Sequence, residues 1–382
     1  MKKIISLVLV LVMVATLFAG CGKDGGKDDA DGKVKLGLIG PLTGGAAVYG
    51  TAVKNGAQLA VDEINAKNGD IQFVLNAQDD ENDAEKSSNA YNNLVDWGMD
   101  ILVGTVTTTP CITVSSLAYE DRIFTLTPSA SSTQVTEGKD NVYQICFNDP
   151  NQGTASARYI AENFPEAKVA IIYDNGSAYS SGIYQTFAAE AETLGMNIVS
   201  VSTCTEETSD FSVQVGDAKN AGADLVFLPI YYTPASLILN HANSIGYEPT
   251  FFGVDGMDGI LTLDGFDTSL AEGVMLLTPF AADAEDAATQ AFVESYKSAY
   301  GEVPNQFAAD AYDCVYAIYN AYSLSGLSVE ASTEEICNAM MDAFNTMSFS
   351  GLTGANMTWK NGQVDKAPAA VVIENGVYVA AN

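Results

Sequence analysis

The chain has 382 residues, length for two ordinary domains, and at 47% hydrophobic and 17% charged residues it carries apolar material for a core in each. Seventeen Lys and Arg against 48 Asp and Glu leave a net charge of −31. That excludes an unaided nucleic-acid binder, which needs a basic footprint for phosphates, and argues against attraction to anionic lipid headgroups. A single histidine, His241, weakens any reading built on a His triad or a His-rich metal site, and Arg122 and Arg158 are the only arginines.

Lys2 and Lys3 precede an apolar run from Ile4 to Phe18, followed by Ala19, Gly20 and Cys21. A short basic start, an apolar stretch below the roughly 20 residues that span a bilayer, and small residues before a cut describe a secretory signal peptide over residues 1–20. Residues 22–33, GKDGGKDDADGK, cannot enter a core, so residues 21–33 read as a flexible tether. Five cysteines follow, 111, 146, 204, 314 and 337, an odd number at wide spacings with no CxxC. That pattern speaks against zinc and for small buried hydrophobes, and leaves one disulfide of unknown pairing open in an exported chain.

The body alternates strand and helix twice. Residues 34–40 read as a buried strand, and Val53, Ala57, Ala60, Val61 and Ile64 share one helical face. Residues 71–77 are a strand; Ala84, Tyr91, Leu94 and Val95 mark a helix; residues 100–104 are a third strand, with a helix after Pro110; residues 122–126 are a fourth. After Asp149-Pro150 the rhythm restarts: a helix to about Phe164, strands at 168–173, 196–202, 224–229 and 250–254, and helices at 179–194, 211–221 and 234–245. Residues 273–277, helices at 285–300, 306–323 and 333–347, and a hairpin turning at Glu374-Asn375-Gly376 complete the chain. Short apolar strands separated by helices imply an α/β fold: two doubly wound lobes with parallel sheets covered on both faces.

No GxxxxGK[ST], GxSxG, HExxH or strand-linked GxGxxG occurs, so neither a cofactor nor a catalytic or metal site is expected. Gly40, Gly44 and Gly45 in GPLTGG suit a tight turn, and His241 suits a helix surface. The informative features are hydroxyl clusters where strands end: Thr105-Val-Thr107-Thr108-Thr109-Pro110 and Thr127-Pro128-Ser129-Ala130-Ser131-Ser132. Ligands of doubly wound sheets bind beyond the carboxyl ends of strands, and hydroxyls with free N–H groups at a helix start hold a carboxylate without a cationic side chain. Helix capping is the plainer use of such residues. In the second half Tyr179, Tyr231, Tyr232 and Asp255 follow strands. Tyrosines and a carboxylate suit an ammonium, although each tyrosine could be packing and Asp255-Gly256 could be an ordinary turn.

The order and spacing of VKLGLIGPLTGGAAVYG, NGAQLAVDEINAKNG, YEDRIFTLTPSASSTQVT, NDPNQG, AIIYDNGSAYSSG, Asp210-Phe211-Ser212, LPIYYTP, EGV near Gly273 and FAADAYDCVYA resemble the branched-chain amino acid-binding proteins of ABC importers, the type I periplasmic binding protein fold. Separately, FAGC at residues 18–21 resembles a bacterial lipobox, with Phe18 where Leu is usual, and implies cleavage before Cys21 and a lipid on its sulfur. The family resemblance implies three crossovers near 148–149, 278–279 and 366–367, forming a hinge between lobe 1 (34–148 plus 279–366) and lobe 2 (149–278 plus 367–382). It implies that Thr108 and Ser131, beside Thr107 and Ala130, hold a ligand carboxylate, and that Ser129 contacts the ligand through its backbone. Tyr49 and, more loosely, Phe307 match pocket aromatics, and Tyr179 and one of Tyr231 and Tyr232 match tyrosines at the ligand. Asp255 matches the acceptor of the α-amine, although many relatives carry Glu there.

The resulting expectation is a membrane-anchored lipoprotein on the outer face of the cytoplasmic membrane, monomeric and not an enzyme. It would bind an amino acid between its lobes and deliver it to ABC permease subunits. The alternative is a sensor that presents amino acid occupancy to a signalling partner.

Overall fold

The computed structural model describes residues 32–381; the expected leader, Cys21 and most of the tether lie outside the described residues. The first half runs β1 (Val34–Gly40), α1 (Ala47–Ala66), β2 (Phe73–Asp79), α2 (Ala84–Trp97), β3 (Ile101–Gly104), α3 (Thr108–Glu120), β4 (Phe124–Thr127) and β5 (Val142–Gln144). Then come α4 (Asp149–Asn163), β6 (Lys168–Asp174), α5 (Ala178–Leu194), β7 (Asn197–Cys204), α6 (Ser212–Asn220), β8 (Leu225–Leu228), α7 (Tyr232–Ser244), β9 (Thr250–Gly253) and β10 (Met275–Thr278). The remainder is α8 (Ala287–Tyr300), α9 (Gln306–Ser325), α10 (Thr333–Phe344), β11 (Trp359–Lys360), β12 (Gln363–Val364), β13 (Ala369–Glu374) and β14 (Val377–Ala380).

Two sheets result. The first has order β2-β1-β3-β4-β5 and is parallel throughout. The second has order β14-β13-β10-β9-β8-β6-β7; it is parallel from β7 to β10, while β13 runs antiparallel to both β10 and β14. The chain therefore enters the second sheet after β5, leaves it after β10, and returns to it after β12. Asn375 (φ 53°) and Gly376 (φ 74°) close the last hairpin, because two consecutive left-handed residues match the twist of the flanking strands.

Burial on both faces explains the unbroken apolar strands. In β1, Val34, Leu36 and Leu38 join the main core with α1 and α9, while Ile39 points to the other face, with Tyr91 and Leu94 of α2 and Val114 of α3. In β6, Ala170 and Ile172 join the α6 and α7 side, and Val169 and Ile171 pack with Ile160 of α4 and Ile183 and Phe187 of α5. Helix α1 lies so close to α9 that a Cβ on Gly56 would sit 2.0 Å from the Ala308 carbonyl oxygen. Asp83, Ser177, Asp286, Asn305 and Ser332 accept backbone N–H bonds at the starts of α2, α5, α8, α9 and α10.

Several boundaries differ from the sequence expectation for identifiable reasons. Helices α3 and α7 begin two residues before Pro110 and Pro234, because a proline in the first helical turn removes only an N–H that has no intrahelical partner anyway. Strand β2 ends at Asp79 rather than 77, carried on by its parallel register with β1 as far as Gly40↔Asp79. Strands β5, β11 and β12 have three, two and two residues, too few to show a period in sequence. All five described cysteines are free and buried, which removes the open disulfide among the described residues. Burial pushes Cys111 and Cys337 up to about 11 and Cys204 up to about 12, so these thiols stay protonated near neutral pH.

Near the third passage between sheets lies a fully enclosed ion pair. Lys366 Nζ is 2.6 Å from Asp310 Oδ1 of α9 and 2.5 Å from Thr353 Oγ1. Asp313, one turn along, accepts the Leu352 and Thr353 N–H groups at 2.9 Å each. Removing one member of such a pair leaves an uncompensated buried charge. Lys366→Met is therefore expected to cost about 3–5 kcal/mol in unfolding free energy. Urea titration followed by circular dichroism checks this; a midpoint unchanged from the parent would show that the pair does not anchor the passage.

Candidate functional site

The carboxyl ends of β1, β3 and β4 and of β6, β8 and β9 face a common seam between the two sheets. In each sheet the chain order reverses there, between β1 and β3 and between β6 and β8. Such switch points leave a crevice that helices do not fill. A buried pocket occupies it, lined by Tyr49, Val106, Thr107, Thr108 and Ser129 from one side and Tyr179, Tyr231, Asp255 and Gly256 from the other, with Phe307 at the start of α9. Its volume is about 10 Å³, room for about one water.

The side built on the first sheet is a cradle of donors. Helix α3 opens at Thr107, which stands in the capping position but whose side chain makes no capping bond. Its Oγ1 is buried without any partner, and so is the Oγ of Ser131. Capping therefore does not explain these two hydroxyls. Neighbouring groups are engaged: Ser129 Oγ donates to the Val106 carbonyl at 2.5 Å, and Ala130 N–H donates to Thr127 Oγ1 at 3.0 Å. Ser132 caps the short turn Thr133–Val135. The Thr108 N–H at the α3 start faces the Tyr231 hydroxyl across the seam. A phenol oxygen thus sits where the helix terminus favours an anion.

The opposite side presents a carboxylate. Asp255 begins a short turn, Asp255–Met257, just past β9. Its Oδ1 accepts from the Tyr179 hydroxyl at 2.6 Å, whose oxygen in turn accepts the Gly256 N–H at 3.0 Å. A side chain on Gly256 would strike that hydroxyl at 2.5 Å, so the turn needs glycine for the close approach. Gln306 Nε2 holds the Asp255 carbonyl at 3.2 Å and Gln152 Oε1 accepts its N–H at 3.3 Å. Burial pushes the Asp255 carboxyl up to about 7, against the lowering effect of Tyr179 and Gln152. No Lys, Arg or His lines this pocket among the described residues.

A second carboxylate stands behind it. Asp149, the first residue of α4, is buried, and neither oxygen makes a hydrogen bond. Burial pushes it well above the usual carboxylate range; the adjacent Ser131 hydroxyl pulls it down and Asp255 pushes it further up.

The structure brings Tyr49, Thr107, Thr108, Ser129, Tyr179, Tyr231, Asp255 and Phe307 to one pocket. Ser131 and Ala130 are buried but are not among the residues lining it. Of the paired tyrosines, Tyr231 lines the pocket, whereas the Tyr232 ring packs edge-on against Tyr49 at 4.8 Å and its hydroxyl accepts the Val48 N–H at 3.3 Å. Tyr49 also crosses the seam through its hydroxyl, to the Gly256 carbonyl. Sequence reasoning assigned no role to Val106, Gln152, Asp149 or Gly256. The NDPNQG segment carried a signal, since Asp149, Gln152, Gly153, Ser156 and Ala157 form one buried stripe of α4 that holds polar residues.

Comparisons with known proteins bear on the family and the fold. Residues 33–376 match the model of a family described as periplasmic binding protein. A Leu/Ile/Val-binding protein of Rhizobium johnstonii is 35% identical over 231 residues, 60% of this chain and 63% of that protein. A Leu/Ile/Val-binding protein homologue of Brucella melitensis is 33% identical, with 61% of its length matched, so the chain spans less than two thirds of both. A leucine-, isoleucine-, valine-, threonine- and alanine-binding protein of Pseudomonas aeruginosa is 24% identical over 80% of this chain and 82% of its own. Among solved structures, the branched-chain amino acid transporter substrate-binding protein LivJ of Streptococcus pneumoniae, in complex with isoleucine, superposes with a TM-score of 0.82 at 28% identity, covering 91% of this chain and 98% of that one. The leucine-binding protein LivK of Thermotoga maritima gives 0.81 at 26% identity, with coverage of 91% and 98%. Over residues 33–376 the match covers most of the sequence and the sheet topology accords with it: the chain belongs to the periplasmic binding protein family.

Proposed function

We propose that this protein is the extracellular substrate-binding component of an ABC importer and takes a branched-chain or related amino acid into the seam between its sheets. One observation carries the reading. A single buried pocket has a donor-rich helix terminus with unpartnered hydroxyls at one end and an unpaired carboxylate at the other, joined by apolar walls. That is the complement of a zwitterion with a hydrocarbon side chain.

The roles follow from placement. The Thr108 N–H and the hydroxyls of Thr107, Thr108 and Ser131 take the ligand carboxylate, displacing the Tyr231 phenol from the α3 terminus. Ser129 and Ala130 shape that end through their backbone. Asp255, oriented by Tyr179, takes the ammonium, and Tyr49, Val106, Tyr231 and Phe307 enclose the side chain. Tyr232 acts through Tyr49. A pocket of about 10 Å³ cannot admit an amino acid without separation of its walls. The three chain passages between the sheets supply the pivot, dividing the molecule into 34–148 plus 279–366 and 149–278 plus 367–382, with closure by hinge motion. Relatives that bind leucine, isoleucine and valine support this ligand class. The leader at 1–20 would direct export and be removed before Cys21, and the lipid on Cys21 with the tether at 21–33 would hold the body at the outer face of the membrane. No helix among the described residues is long and apolar enough to cross one.

Calorimetric titration with leucine tests the ammonium end. Asp255→Asn, which keeps shape and turn preference, is expected to lose about 2–5 kcal/mol of binding, roughly 30- to several-thousand-fold in Kd, with circular dichroism unchanged. A Kd within threefold of the parent would remove Asp255 from the role.

The same carboxylate sets a pH dependence. With Asp255 held near 7 in the empty protein, an ammonium pairs only with its ionised form. Leucine affinity is expected to rise as pH increases through about 7 and to level above it, and the slope is expected to vanish in Asp255→Asn. In the empty protein the sign is opposite. A carboxyl raised above its unfolded value takes up a proton on folding, so its contribution to stability falls as pH rises from about 4 to about 7. Thermal melts of parent and variant across that range separate the two effects; parallel profiles would contradict the assignment.

Fatty-acid labelling of cells expressing the chain tests the anchor. Cys21→Ser is expected to lose all label, because the acyl group is carried by a thioether, and equal label on the variant would end the lipoprotein reading.

A further inference from the structure

Helix α1 does not cap itself. Its N-cap position holds Ala46, which has no side-chain acceptor, whereas α2, α5, α8, α9 and α10 each begin at an Asp, Ser or Asn that accepts a backbone N–H. In the first turn of α1, the Ala47 N–H donates to the Gly44 carbonyl at 3.2 Å and the Tyr49 N–H to the Ala46 carbonyl at 3.1 Å. That leaves the Val48 N–H, at a position that a capping side chain ordinarily serves. It donates to the Tyr232 hydroxyl at 3.3 Å, and the neighbouring Thr233 Oγ1 donates to the Gly45 carbonyl at 2.8 Å. Tyr232 and Thr233 are the first residues of α7, which follows β8 of the second sheet.

A second helix start is completed in the same way. At α9, Asn305 takes the Ala308 N–H at 3.2 Å, and Gln306, the first helical residue, donates its N–H to Asp258 Oδ2 at 3.0 Å. Asp258 lies just past β9 of the second sheet, and the Tyr378 hydroxyl of β14 holds the same carboxylate. A carboxylate placed there also meets the positive end of the helix dipole. Helices α1 and α9 pack on each other at Gly56 and Ala308, and the turn after Asp258 comes so near α1 that a Cβ on Gly259 would sit 2.6 Å from Val48 Cγ1. Tyr232 and Asp258 are buried, yet neither lines the seam pocket. Two residues they act upon do: Tyr49 and Phe307 stand in the first turns of α1 and α9.

We infer that Tyr232 and Asp258 are positioning residues of a closure latch outside the ligand's reach: the half of the molecule built on the second sheet supplies the caps that the first turns of α1 and α9 lack. The inference rests on the reading of the seam as the amino acid site. Closing the seam completes both helix starts and fixes Tyr49 and Phe307 in the pocket wall. Opening it strips the Val48 and Gln306 N–H groups of their acceptors and leaves them to water. The two caps form as the walls meet and must break before a guest can leave, so they act on the dissociation rate and not on first encounter.

Rapid filtration with radiolabelled leucine separates the rates. Tyr232→Phe removes only the hydroxyl, keeping the ring against Tyr49 and the backbone N–H that reaches the Tyr49 hydroxyl. It is expected to speed leucine release about threefold or more, and Asp258→Ala about tenfold or more, with association unchanged in both. Asp258→Asn, which keeps an acceptor oxygen, is expected to recover most of the loss. Hydrogen exchange supplies the second readout: leucine is expected to slow the amides of residues 47–50 and 306–309 in the parent, with the first effect lost in Tyr232→Phe and the second in Asp258→Ala. Unchanged release in either folded variant, a loss confined to association, or equal exchange of these segments with and without leucine would overturn the latch. Circular dichroism confirms folding, and should Asp258→Ala not fold, Tyr232→Phe decides alone. If leucine does not bind the parent, the seam reading fails by itself. The latch is then judged without ligand, and exchange over residues 47–50 no faster in Tyr232→Phe than in the parent would overturn it.

Discussion

The site depends on a carboxylate that has no cation. Asp255 sits in the seam, buried, with a phenol and two amide side chains around its residue but no Lys, Arg or His in the pocket lining. Holding an ionised carboxylate there is unfavourable, which is why its proton affinity rises to about 7. The surrounding structure is arranged to keep it in place nonetheless: Tyr179 donates to it, Gly256 lets the phenol come close, and Gln306 and Gln152 fix its backbone. In the proposed reading, an incoming ammonium relieves it. The helix terminus across the seam answers with the complementary demand, since its N–H and hydroxyl groups favour an anion. In the proposed reading, a bipolar guest satisfies both ends of the pocket at once.

This arrangement sits beside a contrasting use of buried charge. Lys366 and Asp310 are equally enclosed, but each has the other at 2.6 Å. That pair is complete within the chain and therefore structural. Asp255, Asp149 and Asp258 are enclosed without a basic partner, and all three lie at or beside cavities between the sheets.

The architecture was legible because its cause is local. Strands covered on both faces read as unbroken apolar runs, and the terminal hairpin declares itself through Asn375-Gly376. Strand β5 and the β11–β12 hairpin were not legible, since two or three residues carry no period. The onsets of α3 and α7 lie ahead of Pro110 and Pro234, because each proline is accommodated within the first turn. At the site, residue types at strand ends were enough to nominate Thr107, Thr108, Ser129, Tyr179 and Asp255. They could not separate Tyr231 from Tyr232, because the choice depends on how the chain leaves β8 and turns Tyr232 onto Tyr49. Nor could they reveal that the hydroxyl of Ser129 is engaged by Val106 while those of Thr107 and Ser131 are free. Asp149 and Gln152 escaped notice because polar residues at a helix start look like caps until the opposite wall is in place.

The central claim is that one pocket recognises both ends of a zwitterion together. It is tested most directly by titrating leucine against its two halves: isocaproate, which keeps the carboxylate and side chain, and isoamylamine, which keeps the ammonium and side chain. The account predicts that leucine binds far more tightly than either half, each loss amounting to at least about 2 kcal/mol, roughly thirtyfold in Kd. A half molecule that binds as tightly as leucine would contradict it, and would show that one end of the pocket plays no part in recognition.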